Sequence, residues 1–250
     1  GDVMKVIFHE DFRRSYGQDP AAQEGRIDCV LSMISRNVEF IEAKPAKYND
    51  IAACHTTDHI KHVTELGLYE IAALAAGATI QSASIGLEEP SFALVRPPGH
   101  HASPDFSWGY CFFNNIAIAI AKLKQEGKIR RAMVLDIDHH DGDGTINVLG
   151  VKGYTTILNP SEPDPGSYLA MVEEALSDDF DIIGVSAGFD SHKEDWGGVL
   201  STQNYREIGE MVKRASKRSG AGCFAVMEGG YNHEVLGQNV MEFIRGMKKG

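Results

Sequence analysis

The chain has 250 residues, 43% of them hydrophobic and 24% charged, with a formal net charge of −11. That length suits a single α/β domain spanning residues 1–250 around a large core, and the acidic balance argues against direct nucleic-acid binding, which needs a basic surface. Four scattered cysteines (Cys29, Cys54, Cys111, Cys223) form no C-x-x-C pair, no apolar run could span a membrane, and no signal-peptide pattern opens the chain, so a reducing cytoplasm is the expected setting.

In chain order, apolar β-branched runs predict strands at 5–9, 92–95, 132–138, 155–158, 181–186 and 223–227. Helical periodicity predicts helices at 26–36, 57–66, 69–82, 115–125, 167–176, 202–219 and 234–247. Gly127 and Gly220 read as helix stops. Strands alternating with helices imply a three-layer α/β fold, a mostly parallel sheet with helices on both faces. In such a sheet ligands sit beyond the carboxyl ends of the strands. The polar clusters of this chain follow its apolar runs, so they gather on that edge. The loop 159–166 carries Pro160, Pro163 and Pro165 and is stiff.

The richest cluster is Val134-Leu-Asp-Ile-Asp-His-His-Asp-Gly-Asp-Gly-Thr145. If the strand runs on through it, Asp136, Asp138 and His140 alternate onto one face, opposite Leu135 and Ile137. A carboxylate and an imidazole at the end of a buried strand suit a divalent metal. Asp190, after the run Ile182–Gly188, is by itself an ordinary helix N-cap candidate. As a third ligand it completes an Asp-His-Asp set with a position open to water, the pattern of a catalytic site. His100 and His101 follow Arg96-Pro-Pro-Gly99. A lone His-His pair in a loop usually bonds locally. Here Asp136 and Asp143 are spare carboxylates that can each hold the far nitrogen of one imidazole. Tyr231 follows Glu228-Gly-Gly230, whose glycines let the backbone swing a phenol towards the metal, where it can stabilise an oxyanion.

Two other motifs fail on inspection. Asp141-Gly-Asp143-Gly-Thr145 has the letters of a D-x-D-G-T phosphoryl-transfer signature, but Asp138-His-His140 separates it from the strand and it falls in mid-chain. An EF-hand loop needs glycine at its sixth position; counted from Asp136 that residue is Asp141, and from Asp141 it is Ile146.

The ordered set Arg96-Pro-Pro-Gly-His-His-Ala102, Gly109-Tyr-Cys-Phe-Phe-Asn-Asn115, Asp136-Ile-Asp-His-His-Asp-Gly-Asp-Gly144, Gly188-Phe-Asp-Ser-His192 and Glu228-Gly-Gly-Tyr231 resembles the zinc-dependent histone deacetylase superfamily. That superfamily includes acetylpolyamine amidohydrolases and acetoin-utilisation proteins. The resemblance implies an arginase-like α/β fold, one zinc ion and hydrolysis of an acetylated amine, either acetyl-lysine in protein or a small acetylated amine. It implies Asp138, His140 and Asp190 as zinc ligands, with iron(II) able to occupy the same nitrogen and oxygen set. It further implies His100 with Asp136 and His101 with Asp143 as the catalytic pairs. Tyr231 falls on the carbonyl-binding tyrosine, and Gly109 and Tyr110 on one wall of the acyl tunnel. Asp136, with the carbonyls of Asp138 and His140, matches a structural monovalent-cation site, usually potassium.

The chain departs from that pattern in places. Asp141 stands where a second histidine is usual and His139 where an apolar residue is usual, changes expected to alter packing behind the metal. Gln23-Glu-Gly-Arg26 is a reduced form of an N-terminal arginine segment, and 158–166 offers no aromatic to face Tyr110. The alternatives are an arginase-type binuclear manganese ureohydrolase, and a non-catalytic acyl-lysine or metabolite sensor.

Overall fold

Seven short segments become strands in the computed structural model, which describes residues 3–249. They are β1 (Met4–Phe8), β2 (Val38–Glu42), β3 (Ser91–Ala93), β4 (Ala132–Asp136), β5 (Thr155–Leu158), β6 (Ile182–Ala187) and β7 (Gly222–Met227). They form one sheet in the order β2-β1-β3-β7-β6-β4-β5, and every pairing is parallel. Around it lie α1 (Arg26–Ile34), α2 (Tyr48–Ala52), α3 (Thr57–Glu65), α4 (Tyr69–Gly86), α5 (Asn115–Gln125), α6 (Asp143–Leu149), α7 (Pro165–Ala175), α8 (Thr202–Ser219) and α9 (His233–Lys249).

Both faces of the sheet are covered, and the two-residue period of a strand shows how. Ser91 and its register partner Phe224 face α4: the Ser91 hydroxyl donates to the Ser82 carbonyl, and Phe224 packs beneath Gly86. One residue on, Phe92 points to the other face and meets Phe243 of α9 at 6.2 Å between ring centroids. Strands β3, β4, β6 and β7 are buried along their whole length, which is why they read as continuous apolar runs.

Three elements escape sequence reading. Val38-Glu-Phe-Ile-Glu42 lies at the sheet edge with Glu39, Phe40 and Glu42 exposed, and a charged edge strand carries little hydrophobic signal. The α2 and α6 segments have only 5 and 7 residues, too few for helical periodicity to register.

Helices α8 and α9 approach closely because Gly209 and Gly246 lack side chains. A Cβ at Gly209 would overlap the Phe243 carbonyl, and one at Gly246 the Arg206 carbonyl. Glycine in a helix costs about 1 kcal/mol relative to alanine, so propensity alone favours Gly209→Ala. Backbone atoms cannot rotate away as a side chain can, so the overlap prevails. Gly209→Ala is expected to lower the thermal midpoint; a rise would show that the two helices slide apart at little cost.

Candidate metal centre

The carboxyl ends of β3, β7, β6 and β4 are consecutive neighbours in the sheet. The loop after β3 carries His100 and His101, that after β7 carries Tyr231, that after β6 carries Asp190, and that after β4 carries Asp138 and His140. Sheet order therefore brings four distant sequence motifs to one edge.

One expectation is corrected here. Asp136, Asp138 and His140 do not share the face of a continuing strand, because β4 ends at Asp136. The ladder makes one more bond, Ile137 N–H to the Ser186 carbonyl at 3.0 Å, and the chain then turns. Within the turn the Asp138 N–H donates to Asp136 Oδ1 (3.1 Å) and the His140 N–H to Asp138 Oδ1 (2.9 Å). Carboxylates gripping backbone amides, not pleat geometry, produce the convergence.

Asp138, His140 and Asp190 each present a ligand atom, all within 4.8 Å of one another. Asp138 Oδ2 accepts the Gly229 N–H at 2.8 Å and Asp190 Oδ1 the His139 N–H at 2.9 Å. Asp190 Oδ2 is buried without a directed hydrogen bond, although His140 Nδ1 lies 3.1 Å away. A buried carboxylate oxygen left in that state is costly, and one imidazole with two carboxylates is a fitting donor set for a divalent metal. Gly188 and Gly229 make room: a Cβ at either would overlap the Asp138 carboxylate.

The charges are distributed unevenly. Burial opposes ionisation of Asp138, yet His100 and His140 hold its carboxyl well below the usual range. Burial, reinforced by the Asp138 charge, pushes Asp190 up to about 7. The hydrogen-bonded Asp138 carboxylate, with the Asp190 carboxylate close by, raises His140 to about 10. A cation between the two carboxylates is favoured, whether it is a proton or a metal.

Two histidine–carboxylate pairs flank the triad. His100 Nδ1 lies 2.8 Å from Asp136 Oδ2 and His101 Nδ1 2.7 Å from Asp143 Oδ1. Burial works against charge on His100, but Asp136 and Asp138 outweigh it and raise its pKa well above 6.5. Burial lowers the pKa of His101, the His100 charge lowers it further, and Asp143 restores only part. The two imidazoles are therefore driven in opposite directions. Trp108 Nε1 donates to Asp143 Oδ2 at 2.8 Å while its ring lies 4.1 Å from that of His101.

Tyr231 is held from both sides. The Arg26 guanidinium lies 5.5 Å from its ring centroid, and Trp196 stacks on it at 4.0 Å with 23° between planes. Its N–H, with that of Asn232, donates to Asp195 Oδ2, each at 2.8 Å. Burial, with Asp138 nearby, raises the phenol far above its ordinary pKa of 10.0 and keeps it protonated. Tyr110 takes a left-handed φ of 67° and sets its ring 6.1 Å from that of Tyr231. Gly109 before it has no Cβ to strike the His101 ring.

Several contributors were not assigned roles from sequence. Glu228, quoted only within a motif, is fully buried; its Oε2 accepts the Gly99 and His100 N–H groups (2.8 and 3.2 Å) and its Oε1 the Ser186 hydroxyl (3.0 Å). Burial lifts its carboxyl to about 7. Arg26, in the reduced segment, donates to the Gly230 and Glu228 carbonyls at 2.8 Å each and to Ala21 at 3.3 Å. Trp196 stands 6.0 Å from His140, edge to face, and is half exposed. Its signal was its position in the loop that follows Asp190.

His139 also departs from expectation. It does not pack behind the triad but is exposed, bordering a hollow of about 350 Å³ with Pro160, Glu162, Pro163, Tyr168 and Val199. Of the groups expected to face a monovalent cation (Asp136 and the carbonyls of Asp138 and His140), the Asp138 carbonyl is met by the Asn159 amide at 3.3 Å, and the same amide meets the Asp136 carbonyl at 2.8 Å.

An all-parallel α/β sheet with a carboxylate–imidazole–carboxylate cluster at its carboxyl edge is an arrangement that could hold a divalent metal. Comparison with known proteins narrows this. The histone deacetylase domain matches residues 21–152 and 155–247, and the chain belongs to that family. It is 29% identical to a probable deacetylase of Methanothermobacter thermautotrophicus, over 98% of this chain and 90% of that protein. It is 28% identical to a histone deacetylase-like amidohydrolase of Pseudomonas aeruginosa, over 87% and 73%, and 30% identical to acetylpolyamine amidohydrolase 1 of the same organism, over 62% and 55%. The crystal structure of the HDA15 HD domain superposes with a TM-score of 0.82 at 21% identity, covering 98% of this chain and 89% of that one. The arginase-like deacetylase fold is thus shared.

Arg26 supports Tyr231 through the carbonyls it bonds rather than through a carboxylate. Arg26→Met would orphan buried acceptors at a cost of about 1–3 kcal/mol each. The denaturant midpoint is expected to fall accordingly, and an unchanged midpoint would show that the Gly229-Gly230 turn needs no such support.

Proposed function

We propose that this protein is a zinc-dependent amidohydrolase that removes the acetyl group from an acetylated amine. Its family is one of hydrolytic deacetylases. The observation that carries the reading is a carboxylate–imidazole–carboxylate triad flanked by two His–Asp pairs of opposed basicity. Asp138, His140 and Asp190 would hold one zinc ion per chain. Iron(II) suits the same donors, and the preference for zinc rests on the family.

Bound there, the metal supplies Lewis acidity, polarising the acetyl carbonyl and bringing the pKa of water to about 7. His101, kept neutral by burial and oriented by Asp143, takes the proton of the attacking water and passes it to the leaving amine. His100, held charged by Asp136, steadies negative charge as it develops. Tyr231 stays protonated and donates a hydrogen bond to the oxyanion. Water adds to the carbonyl carbon, the C–N bond breaks, and acetate and the free amine leave. Tyr110, at Gly109, and Trp196 form the walls along the amine chain, so the second wall comes from the loop after β6 rather than from 158–166.

The substrate is either acetyl-lysine in protein or a small acetylated amine such as an acetylpolyamine, the two classes that the names of its relatives span. An arginase-type binuclear centre is disfavoured, because the described residues offer one cluster of three ligands with no bridging carboxylate beyond it. A non-catalytic sensor would not need both His–Asp pairs complete. Unpaired thiols at Cys29, Cys54, Cys111 and Cys223 support a reducing, cytoplasmic setting, and no described helix is long and apolar enough to cross a membrane.

Zinc-loaded protein is expected to release acetate from an acetyl-lysine peptide or from acetylated polyamines, and a chelator to stop it. Tyr231→Phe should lower kcat by ~10²–10³ with the zinc retained; turnover within a few-fold of the parent would refute the oxyanion role. Asp190→Ala should reduce bound zinc from one equivalent to a small fraction by elemental analysis, and a full equivalent would exclude Asp190 as a ligand.

A further inference from the structure

The loop that presents Asp138 and His140 leaves the sheet after the Ile137 N–H, one residue past the end of β4 at Asp136. Three successive carbonyls, those of Asp136, Ile137 and Asp138, point away from regular secondary structure and need partners. Each is met by a side-chain donor. Asn159 Nδ2 donates to the Asp136 carbonyl at 2.8 Å and the Asp138 carbonyl at 3.3 Å. The Tyr168 hydroxyl and the Ser191 hydroxyl donate to the Ile137 carbonyl at 3.3 and 3.4 Å. Asn159 is the first residue past β5, and the β4–β5 register, which pairs Leu135 with Leu158, carries it alongside Asp136.

The orientation of the Asn159 amide is fixed by its partners. Its Oδ1 accepts the Gly142 N–H at 2.7 Å. Turning the group over would set two N–H donors against an N–H and a carbonyl oxygen against two carbonyl oxygens. The Asp136 carboxylate is committed as well, Oδ1 to the Asp138 N–H and Oδ2 to His100. An alkali cation bridging the Asp136 and Asp138 carbonyls would have to take the place that Asn159 Nδ2 holds between those two oxygens. The residues present therefore do not fit the expected potassium.

We infer that the Asn159 carboxamide takes the place of a structural alkali cation in fixing the metal-ligand loop, which makes this protein independent of potassium. Asn159 is a positioning residue: it touches neither metal ligand side chain and acts on Asp138 through the backbone. A neutral amide also leaves the Asp136–His100 pair without an added positive charge beside it.

The test is an ion series on the zinc-loaded protein in potassium, sodium and N-methylglucamine chloride at matched ionic strength, reading thermal midpoint and acetate release. The wild type should give the same midpoint and rate in all three salts. Asn159→Asp exchanges the donor for an acceptor, and its midpoint should rise saturably with potassium but not with N-methylglucamine. A wild-type midpoint that rises saturably with potassium would overturn the inference, as would an Asn159→Asp variant as indifferent to potassium as its parent. If that variant does not fold, rubidium-soaked wild-type crystals decide: an anomalous peak in contact with the Asp136 carbonyl overturns the inference, and its absence supports it. The midpoint does not depend on turnover, so an inactive but ion-indifferent protein would sink the proposed activity and leave this inference standing.

Discussion

Four carboxylates, Asp136, Asp138, Asp190 and Glu228, lie no more than 1% exposed at the ends of neighbouring strands in an otherwise apolar sheet. Taking such groups out of water costs several kcal/mol each unless charge and hydrogen bonds compensate. The rest of the site can be understood as that compensation. Backbone N–H groups from Asp138, His139, His140, Gly229, Gly99 and His100 point at these four carboxylates, and His100 and His140 add positive charge. One oxygen, Asp190 Oδ2, remains without a hydrogen bond. The site is thus a rigid, incompletely neutralised anion cage, the environment in which a dication binds and in which nearby imidazoles are pushed apart in basicity.

The cage is fastened to the rest of the molecule by two buried guanidiniums. Arg26 ties α1 to the Gly229-Gly230 turn beneath Tyr231, and Arg96 gathers the carbonyls of Phe12, Arg13, Ala21 and Gln23. Both donate only to backbone oxygens, so they fix chain paths rather than pair with the carboxylates. The N-terminal segment thereby becomes a wall behind the site although it contributes none of the metal-ligand candidates. Two half-exposed tryptophans pack on site residues, Trp108 on His101 and Trp196 on Tyr231. Aromatic faces of this kind suit an alkyl chain or an alkylammonium group.

Much of the fold was legible because buried parallel strands are continuous apolar runs. The runs at 155–158 and the helices at 115–125 and 202–219 have the bounds found in the structure, and the other elements differ by a few residues at their ends. The edge strand β2 was invisible because its exposed glutamates erase the hydrophobic pattern. The site was legible for a different reason. The candidate ligands and their partners are chemically distinctive residues in short motifs, and the ten residues singled out lie in loops or at element ends along one sheet edge. What misled was the extrapolation of strand alternation past Asp136, where the pattern of letters continues but the ladder has ended.

The sequence by itself determined the chemistry at hand: which carboxylates and imidazoles exist, and in which motifs, follows from side-chain identity alone. Tertiary structure decided which of them touch. The order β3-β7-β6-β4 places four loops side by side, and only that adjacency pairs His100 with Asp136 and His101 with Asp143 rather than with another carboxylate. It also recruited residues that no motif marks, Asn159 against the Asp136 carbonyl and Trp196 against Tyr231. Their roles lie in distance and direction across the sheet edge, quantities set by packing and register that a linear string does not carry.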